Sequence, residues 1–253
     1  SKKDDSPLWQ TILIKAIAVI LSLIVSALFL YFVTKLDPIS VYASMYKGAF
    51  GTSRRFWITI RDTVFLLLVA VSLTPAFKMR FWNCGAEGQV LIGGLITAAL
   101  MINYGNTIST PVLLLIMFVI SAICGALWAF LPAYFKAKYN TNETLFTLMM
   151  NYVAIQLVEF FVDFWDKKQA HSVGIINMNT HGGWFMSIGE YQYLLNVIIV
   201  LLISVIVYIY LKYSKHGFEL AVVGESEATA KYAGINVKNA IIRTVLLSGG
   251  IAG

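Results

Sequence analysis

Charge is what this chain has least of. Charged residues make up 13% of its 253 residues, against about a quarter in an ordinary soluble domain. With 58% hydrophobic residues and a mean hydropathy of +0.75, it has too little polar surface to cover a core in water. Cysteine is nearly absent. Cys84 and Cys124 both lie in or beside apolar stretches, which argues against a disulfide framework, and neither has metal-site spacing. His171, His181 and His216 are equally scattered, and the absence of H-E-x-x-H removes a membrane metalloprotease. No run of five or more Lys or Arg occurs, and no nucleic-acid motif. The net charge of +6 is therefore read by position rather than as a sign of nucleic-acid binding. Asp163, Asp166 and Glu190 fall at span ends or in a loop, so no pair of carboxylates is set for acid–base catalysis. No metal or cofactor is implied.

What the chain has instead is long apolar runs. A helix crossing the hydrocarbon needs about 20 mainly apolar residues, and six stretches qualify: about Thr11–Val33, Trp57–Phe77, Trp82–Ile102, Pro111–Phe135, Asn142–Phe161 and Tyr191–Leu211. A seventh begins near Ala240 and is cut short. The fold class is an all-α polytopic integral membrane protein, one transmembrane domain over 1–253. The first run is too long for a signal-peptide core and lacks a small-residue cleavage site, so it reads as a span. The chain starts at Ser1 and stops inside an apolar segment, and so reads as a fragment. Asp37-Pro38 is expected to end the first helix, because the residue before proline is pushed out of the α region. Leu36–Trp57 reads as a loop with a surface-lying helix. Arg61 and Asp62 inside the second span read as an interface-level ion pair.

Three stretches break the apolar pattern. Trp82–Gly94, WNCGAEGQVLIGG, opens a span with Asn83, Glu87 and Gln89 among glycines. Irregular backbone at membrane depth survives only when buried in protein or lining a water-filled cavity. In the fifth span, Glu143, Thr147 and Asn151 recur every four residues and draw a polar stripe down one face. Two readings of these six residues stay open. They are interhelical hydrogen-bonding glue, or they line a polar path for a neutral hydroxylated solute. If Glu87 and Glu143 lie near the membrane edge, they are structural. Small residues spaced by four, Gly93 with Thr97, Gly94 with Ala98, and Ser121, Gly125 and Ala129, predict close helix approach. The sixth span is almost uniformly apolar and reads as a lipid-facing or packing helix.

The third stretch, Lys212–Arg243, is polar and basic between two apolar segments. After Gly224, ESEATAKYA consists of good helix formers, with Glu227 and Lys231 in the favourable i,i+4 order. Gly234 follows where a helix ends on a left-handed residue, with Ile235 as the apolar contact beyond it. The pattern predicts a short capped helix whose Tyr232, Ile235 and Val237 can dock. A membrane-surface helix without a partner is the alternative.

This segment resembles the cytoplasmic coupling region of permease subunits of binding-protein-dependent ABC importers for branched-chain amino acids, ribose and galactosides, and nucleosides. Gly217, Ala221, Gly224, Glu225, Ala228, Ala230, Tyr232, Ala233, Gly234, Ile235 and Asn236 fall on the family pattern, as do Ser248, Gly249, Ala252 and Gly253. Ser226 and Thr229 depart from it mildly. The segment at Trp82–Gly94 is similar to F-N-I-G-A-E-G-Q of the nucleoside and simple-sugar branch, with Cys84 in place of Ile. NETLFTLMMNYVA at Asn142–Ala154 is similar to that branch's N-E-x-x-x-T-L-M-L-N-Y.

The resemblance implies a transport subunit in a bacterial inner membrane, without an ATPase of its own. Separate ABC ATPase subunits would lie inside, a solute-binding protein outside, and a second permease subunit beside it, homologous or identical. Gly217, Gly224, Glu225, Ala228, Ala230, Tyr232 and Gly234 would carry the coupling, with a nucleoside the first choice of solute and a simple sugar the second. Leu247–Gly250, LSGG, imitates an ABC ATPase signature, but no phosphate loop accompanies it and it reads as helix-packing residues. With the N-terminus inside, Lys and Arg divide eleven to six in favour of the cytoplasm. A self-sufficient secondary transporter or channel is the alternative. It should carry an intramembrane acidic or His relay, which this sequence does not convincingly show.

Overall fold

The computed structural model describes residues 8–166, 171–189, 191 and 193–253. Lys2, Lys3, Lys167, Lys168 and Glu190, which entered the orientation and loop arguments, lie outside the described residues. The regular elements are all helical: α1 (Leu8–Phe29, continued by a π-turn over Leu30–Thr34), α2 (Pro38–Phe50), α3 (Ser53–Lys78), α4 (Ala86–Tyr104), α5 (Thr110–Tyr139), α6 (Glu143–Trp165), α7 (Leu194–Tyr213), α8 (Lys215–Glu225), α9 (Glu227–Tyr232) and α10 (Val237–Ala252). Among the described residues, six of these are long and apolar enough to cross a membrane. The chain is a multi-pass membrane protein. It divides into two compact units, Ser1–Thr59 and Ile60–Gly253.

In the first unit, the helix expected within Leu36–Trp57 is α2, which takes up most of that segment. The first helix stops at Thr34, where Lys35 takes a left-handed φ of 58°, before the proline can act. Asp37 has a different task from the one expected. Its carboxylate accepts from the backbone N–H of Ile39 (3.3 Å) and Ser40 (3.0 Å), and Pro38 holds the first helical position of α2, where it loses no hydrogen bond. The Tyr42 hydroxyl then donates to the Leu23 carbonyl at 2.7 Å, pinning α2 to α1.

In the second unit, α10 lies against α5 on the small residues that the spacing singled out. Ser121, Gly125 and Ala129 are buried on α5. A Cβ on Gly125 would come within 2.7 Å of the Gly253 Cα, and one on Gly249 within 3.3 Å of the Ala126 Cα. Backbones that close give van der Waals contact that larger side chains would prevent. LSGG is part of this seam, with Ser248 and Gly249 buried in α10. Gly94 departs from expectation. It is exposed and a Cβ there would meet nothing within 4 Å, so only its neighbour Gly93 is buried at an interface. Arg61 and Asp62 form the expected ion pair at 2.8 Å, and the guanidinium also lies over the Tyr193 ring, 5.3 Å from its centroid.

Candidate functional site

The polar residues of the two membrane motifs meet at the start of α4. Residues 81–85 run without helical structure into the helix, so their backbone groups need partners from elsewhere. Two side chains of α6 supply them. The Cys84 N–H donates to Thr147 Oγ1 at 3.1 Å. The Cys84 carbonyl accepts from Asn151 Nδ2 at 2.9 Å. Asn151 Oδ1 in turn accepts from the Gly88 N–H at 2.9 Å, which makes Asn151 a helix cap delivered across an interface. Gly88 has to be small, since its Cβ would fall 2.9 Å from that same oxygen. Asn83 closes the turn: its Oδ1 accepts from the Gly85 N–H at 3.0 Å. Its amide also faces that of Gln89, at 3.4 Å in both senses.

Thr147 is fully buried, and Asn83, Gln89 and Asn151 nearly so. Of the six residues proposed from sequence, these four form one knot. Glu87 is exposed. Glu143 turns away to pair with Lys136 at 2.9 Å beside a cavity of about 210 Å³ shared with Arg80, Gly224 and Glu225.

None of the four knot residues lines two further cavities, which are walled mainly by α5 and α7, with α3 and α10 in one and the C-terminal half of α4 in the other. One of about 560 Å³ is bounded by Phe65, Phe118, Phe185 and Asn196, with Arg61 and Asp62 in its wall. The other, about 470 Å³, shares Phe118, Ser121, Phe185 and Asn196 with it and adds Thr97, Trp184 and Tyr193. Both fall in the range of small-molecule sites, about 300–1,000 Å³, and have the usual mix of apolar and aromatic walls with few polar groups. Sequence reasoning missed this region because α7 read as uniformly apolar. The available signal was Asn196 itself, a single amide in LLNVIIV.

The polar segment after α7 folds as two short helices, α8 and α9, ahead of α10, rather than the one expected. Gly224 belongs to α8, buried with its Cα facing the Lys78 carbonyl, instead of opening the coupling helix. The break falls at Ser226, in extended conformation (φ −162°), whose hydroxyl accepts from the Thr229 N–H at 3.3 Å to start α9. The end of α9 is as expected: Gly234 has φ +75° and the Ile235 N–H reaches back to the Ala230 carbonyl at 2.9 Å, satisfying a terminal carbonyl.

The residues expected to carry the coupling divide by burial. Gly217, Gly224 and Ala230 are buried, while Glu225, Ala228, Tyr232 and Gly234 are exposed. Of the three apolar groups expected to dock outward, Val237 is buried and Ile235 packs against the core. Tyr232 alone projects outward, 94% exposed.

His216 ties the segment to the spans. Its Nδ1 lies 2.6 Å from the Tyr210 hydroxyl and its Nε2 3.3 Å from Thr244 Oγ1. Thr244 already donates its hydrogen to the Ala240 carbonyl at 2.6 Å, so it can only accept from the ring. That assigns the hydrogen to Nε2 and leaves Nδ1 to accept from tyrosine, which is the neutral imidazole. Burial holds the His216 pKa below its ordinary value, against the pull of Glu219 and with the push of Arg243. The folded state therefore takes up this proton later than the unfolded one. Stability from this contact is complete above the ordinary histidine pKa of about 6.5 and is lost as pH falls through the lowered folded value. Thermal unfolding of the purified subunit should show a lower Tm at pH 5.5 than at pH 7.5, with a smaller difference in His216→Gln.

The family model described as branched-chain amino acid transport system / permease component matches residues 56–253, which takes in the knot, both cavities and the polar segment after α7. The guanosine ABC transporter permease protein of Bacillus subtilis is 30% identical over 245 residues, covering 96% of this chain and 70% of that protein. The nucleoside ABC transporter permease protein of Lactococcus lactis is 26% identical over 96% of this chain and 69% of its own length. The glucose ABC transporter permease protein of Haloferax volcanii is 29% identical over half of this chain and a third of its own. No solved structure matches the chain. With the family model spanning its knot, its cavities and α8 to α10, the chain belongs to the branched-chain amino acid transport system permease family, as a membrane-spanning permease component of an ABC transporter.

Proposed function

We propose that this chain carries nucleosides across the inner membrane as one permease subunit of a binding-protein-dependent ABC importer. It would pair with a second permease subunit and draw on ATP hydrolysed by separate subunits. The observation that carries the choice of solute is the pair of cavities bounded by Phe65, Phe118, Phe185, Trp184 and Tyr193, with a neutral amide and a self-compensating Arg61–Asp62 pair. Flat apolar faces suit a nucleobase. A free amino acid would bring two charges into a site whose own two are already paired. The relatives that match along nearly the whole chain are a guanosine and a nucleoside permease, whereas the glucose permease matches half of it.

The proposed sidedness is supported by where the ends meet. The turn at 79–85, the start of α6 and the α8–α9 junction share one cavity. Lys78, Arg80, Lys136, Lys138, Lys212, Lys215, Lys231, Lys238 and Arg243 gather toward that end of the helices, which supports a cytoplasmic face. The aromatic cavities then open toward the binding protein. In this reading, the knot of Asn83, Gln89, Thr147 and Asn151 positions α4 near the cytoplasmic face, and the solute meets the aromatic cavities first.

The test is uptake by proteoliposomes holding the full-length subunit with its cognate second permease subunit, ATPase subunits and binding protein, with ATP enclosed on the ATPase side. Labelled guanosine should accumulate saturably, other nucleosides should compete, and glucose and leucine should not. Accumulation of glucose without guanosine would replace the nucleoside by a sugar.

A further inference from the structure

We infer that the Asn196 amide reads the solute in the aromatic cavities by pairing with a hydrogen-bonding edge of a nucleobase; this rests on the nucleoside reading above. Asn196 sits in the first turn of α7, otherwise a wholly apolar stretch up to Ser204. An amide in such a helix is expensive unless both its ends are bonded. Yet Asn196 Oδ1 is buried and has no hydrogen-bond partner among the described residues. A buried orphan of that kind calls for an explanation, and the same side chain lines both cavities.

Most other polar groups of the walls already spend their hydrogens on the protein. Trp184 Nε1 donates to the Ile176 carbonyl at 3.0 Å. The Thr97 hydroxyl donates to the Gly93 carbonyl at 2.9 Å, and that of Ser121 to the Phe118 carbonyl at 3.3 Å. Arg61 holds Asp62. Asn196 is the wall residue with a buried acceptor left unpartnered, and its amide offers a donor and an acceptor side by side. Side-chain amides of this type pair bidentately with base edges. Aromatic rings such as those of Phe118, Phe185 and Tyr193 supply faces on which any base can stack. The terminal torsion of asparagine is broad, so the amide can turn its free oxygen toward a molecule in the cavity without moving the helix.

The experiment uses the complete transporter in proteoliposomes with saturating guanosine-loaded binding protein, comparing wild type with Asn196→Leu and Asn196→Gln. Leucine keeps the volume and removes both hydrogen-bonding atoms. It should lower guanosine transport per assembled complex about tenfold, the equivalent of roughly one charge-neutral hydrogen-bonded pair, with membrane abundance held. It should also bring the guanosine and cytidine rates closer together, because the group that distinguishes the two base edges is gone. Glutamine should recover part of the rate.

Two results overturn the inference while leaving the nucleoside reading intact. One is Asn196→Leu transporting guanosine at the wild-type rate with the base preference unchanged. The other is loss of assembled complex with normal transport by what remains, which would make the amide a structural contact. A wild-type complex that carries glucose and no nucleoside overturns the nucleoside reading, and this inference falls with it.

Discussion

Asn151→Leu should empty the membrane of the subunit before it slows transport. The substitution removes one acceptor and one donor, leaving the Gly88 N–H and the Cys84 carbonyl without the partners that hold them at 2.9 Å. The buried Gly88 N–H costs about 1–3 kcal/mol when orphaned, the part-buried Cys84 carbonyl less, and a loss of even 1–2 kcal/mol changes cellular abundance several-fold. Thr147→Val is milder, because it orphans only the Cys84 N–H while keeping the shape. The order expected for abundance and for Tm in detergent is wild type, then Thr147→Val, then Asn151→Leu, with the double variant lowest. Transport per remaining complex should stay near wild type. The opposite ordering, full abundance with uptake gone, would put Thr147 and Asn151 on the solute path. Asn151→Cys separates the two readings independently, since a knot thiol stays inert to a small water-soluble reagent throughout the ATP cycle and a path thiol does not.

The sequence carried this knot further than it carried the cavities, for a physical reason. Thr147 and Asn151 stand out because polar residues at helical spacing in a span must be bonded to something or face a cavity, and Asn83 because it stands in a glycine-broken span start. Which partner each takes is not periodic information. That Asn151 would cap α4 depends on how closely α4 and α6 approach at Gly88.

The helix after Gly224 shows the same limit. Gly234 and Ile235 were legible because a left-handed residue and an apolar contact beyond it are a local signal. The break at Ser226 was not, since ESEATAKYA reads as continuous helix until the Ser226 hydroxyl competes for the Thr229 N–H. Asn196 escaped for the simplest reason. One amide among apolar residues has no period, and its importance lies in aromatic neighbours drawn from α5 and the segment before α7.

Tyr232→Ala should leave the subunit fully assembled and nearly unable to import. The ring is 94% exposed, on a six-residue helix held by Ser226 at one end and Gly234 at the other. Truncating a side chain with so little burial changes folding stability by about half a kcal/mol at most. An exposed tyrosine on a rigid capped turn is, by contrast, the kind of anchor whose loss costs an interface 2 kcal/mol or more, which is more than tenfold in occupancy. If α9 docks on the ATPase, Tyr232→Ala should keep wild-type abundance and Tm. It should lose at least nine-tenths of uptake, and ATP hydrolysis should no longer respond to loaded binding protein. Ala228→Arg, also on an exposed position, should behave alike.

Gly224→Leu cannot serve for this purpose, because any side chain there meets the Lys78 carbonyl and disturbs the turn at 79–85 together with the coupling. A thiol at Ala228→Cys should react with an impermeant reagent from the cytoplasmic side and be shielded when the ATPase is bound. Wild-type uptake by Tyr232→Ala, with that thiol equally reactive in the presence and absence of the ATPase, would reduce α9 to a membrane-surface helix without a partner.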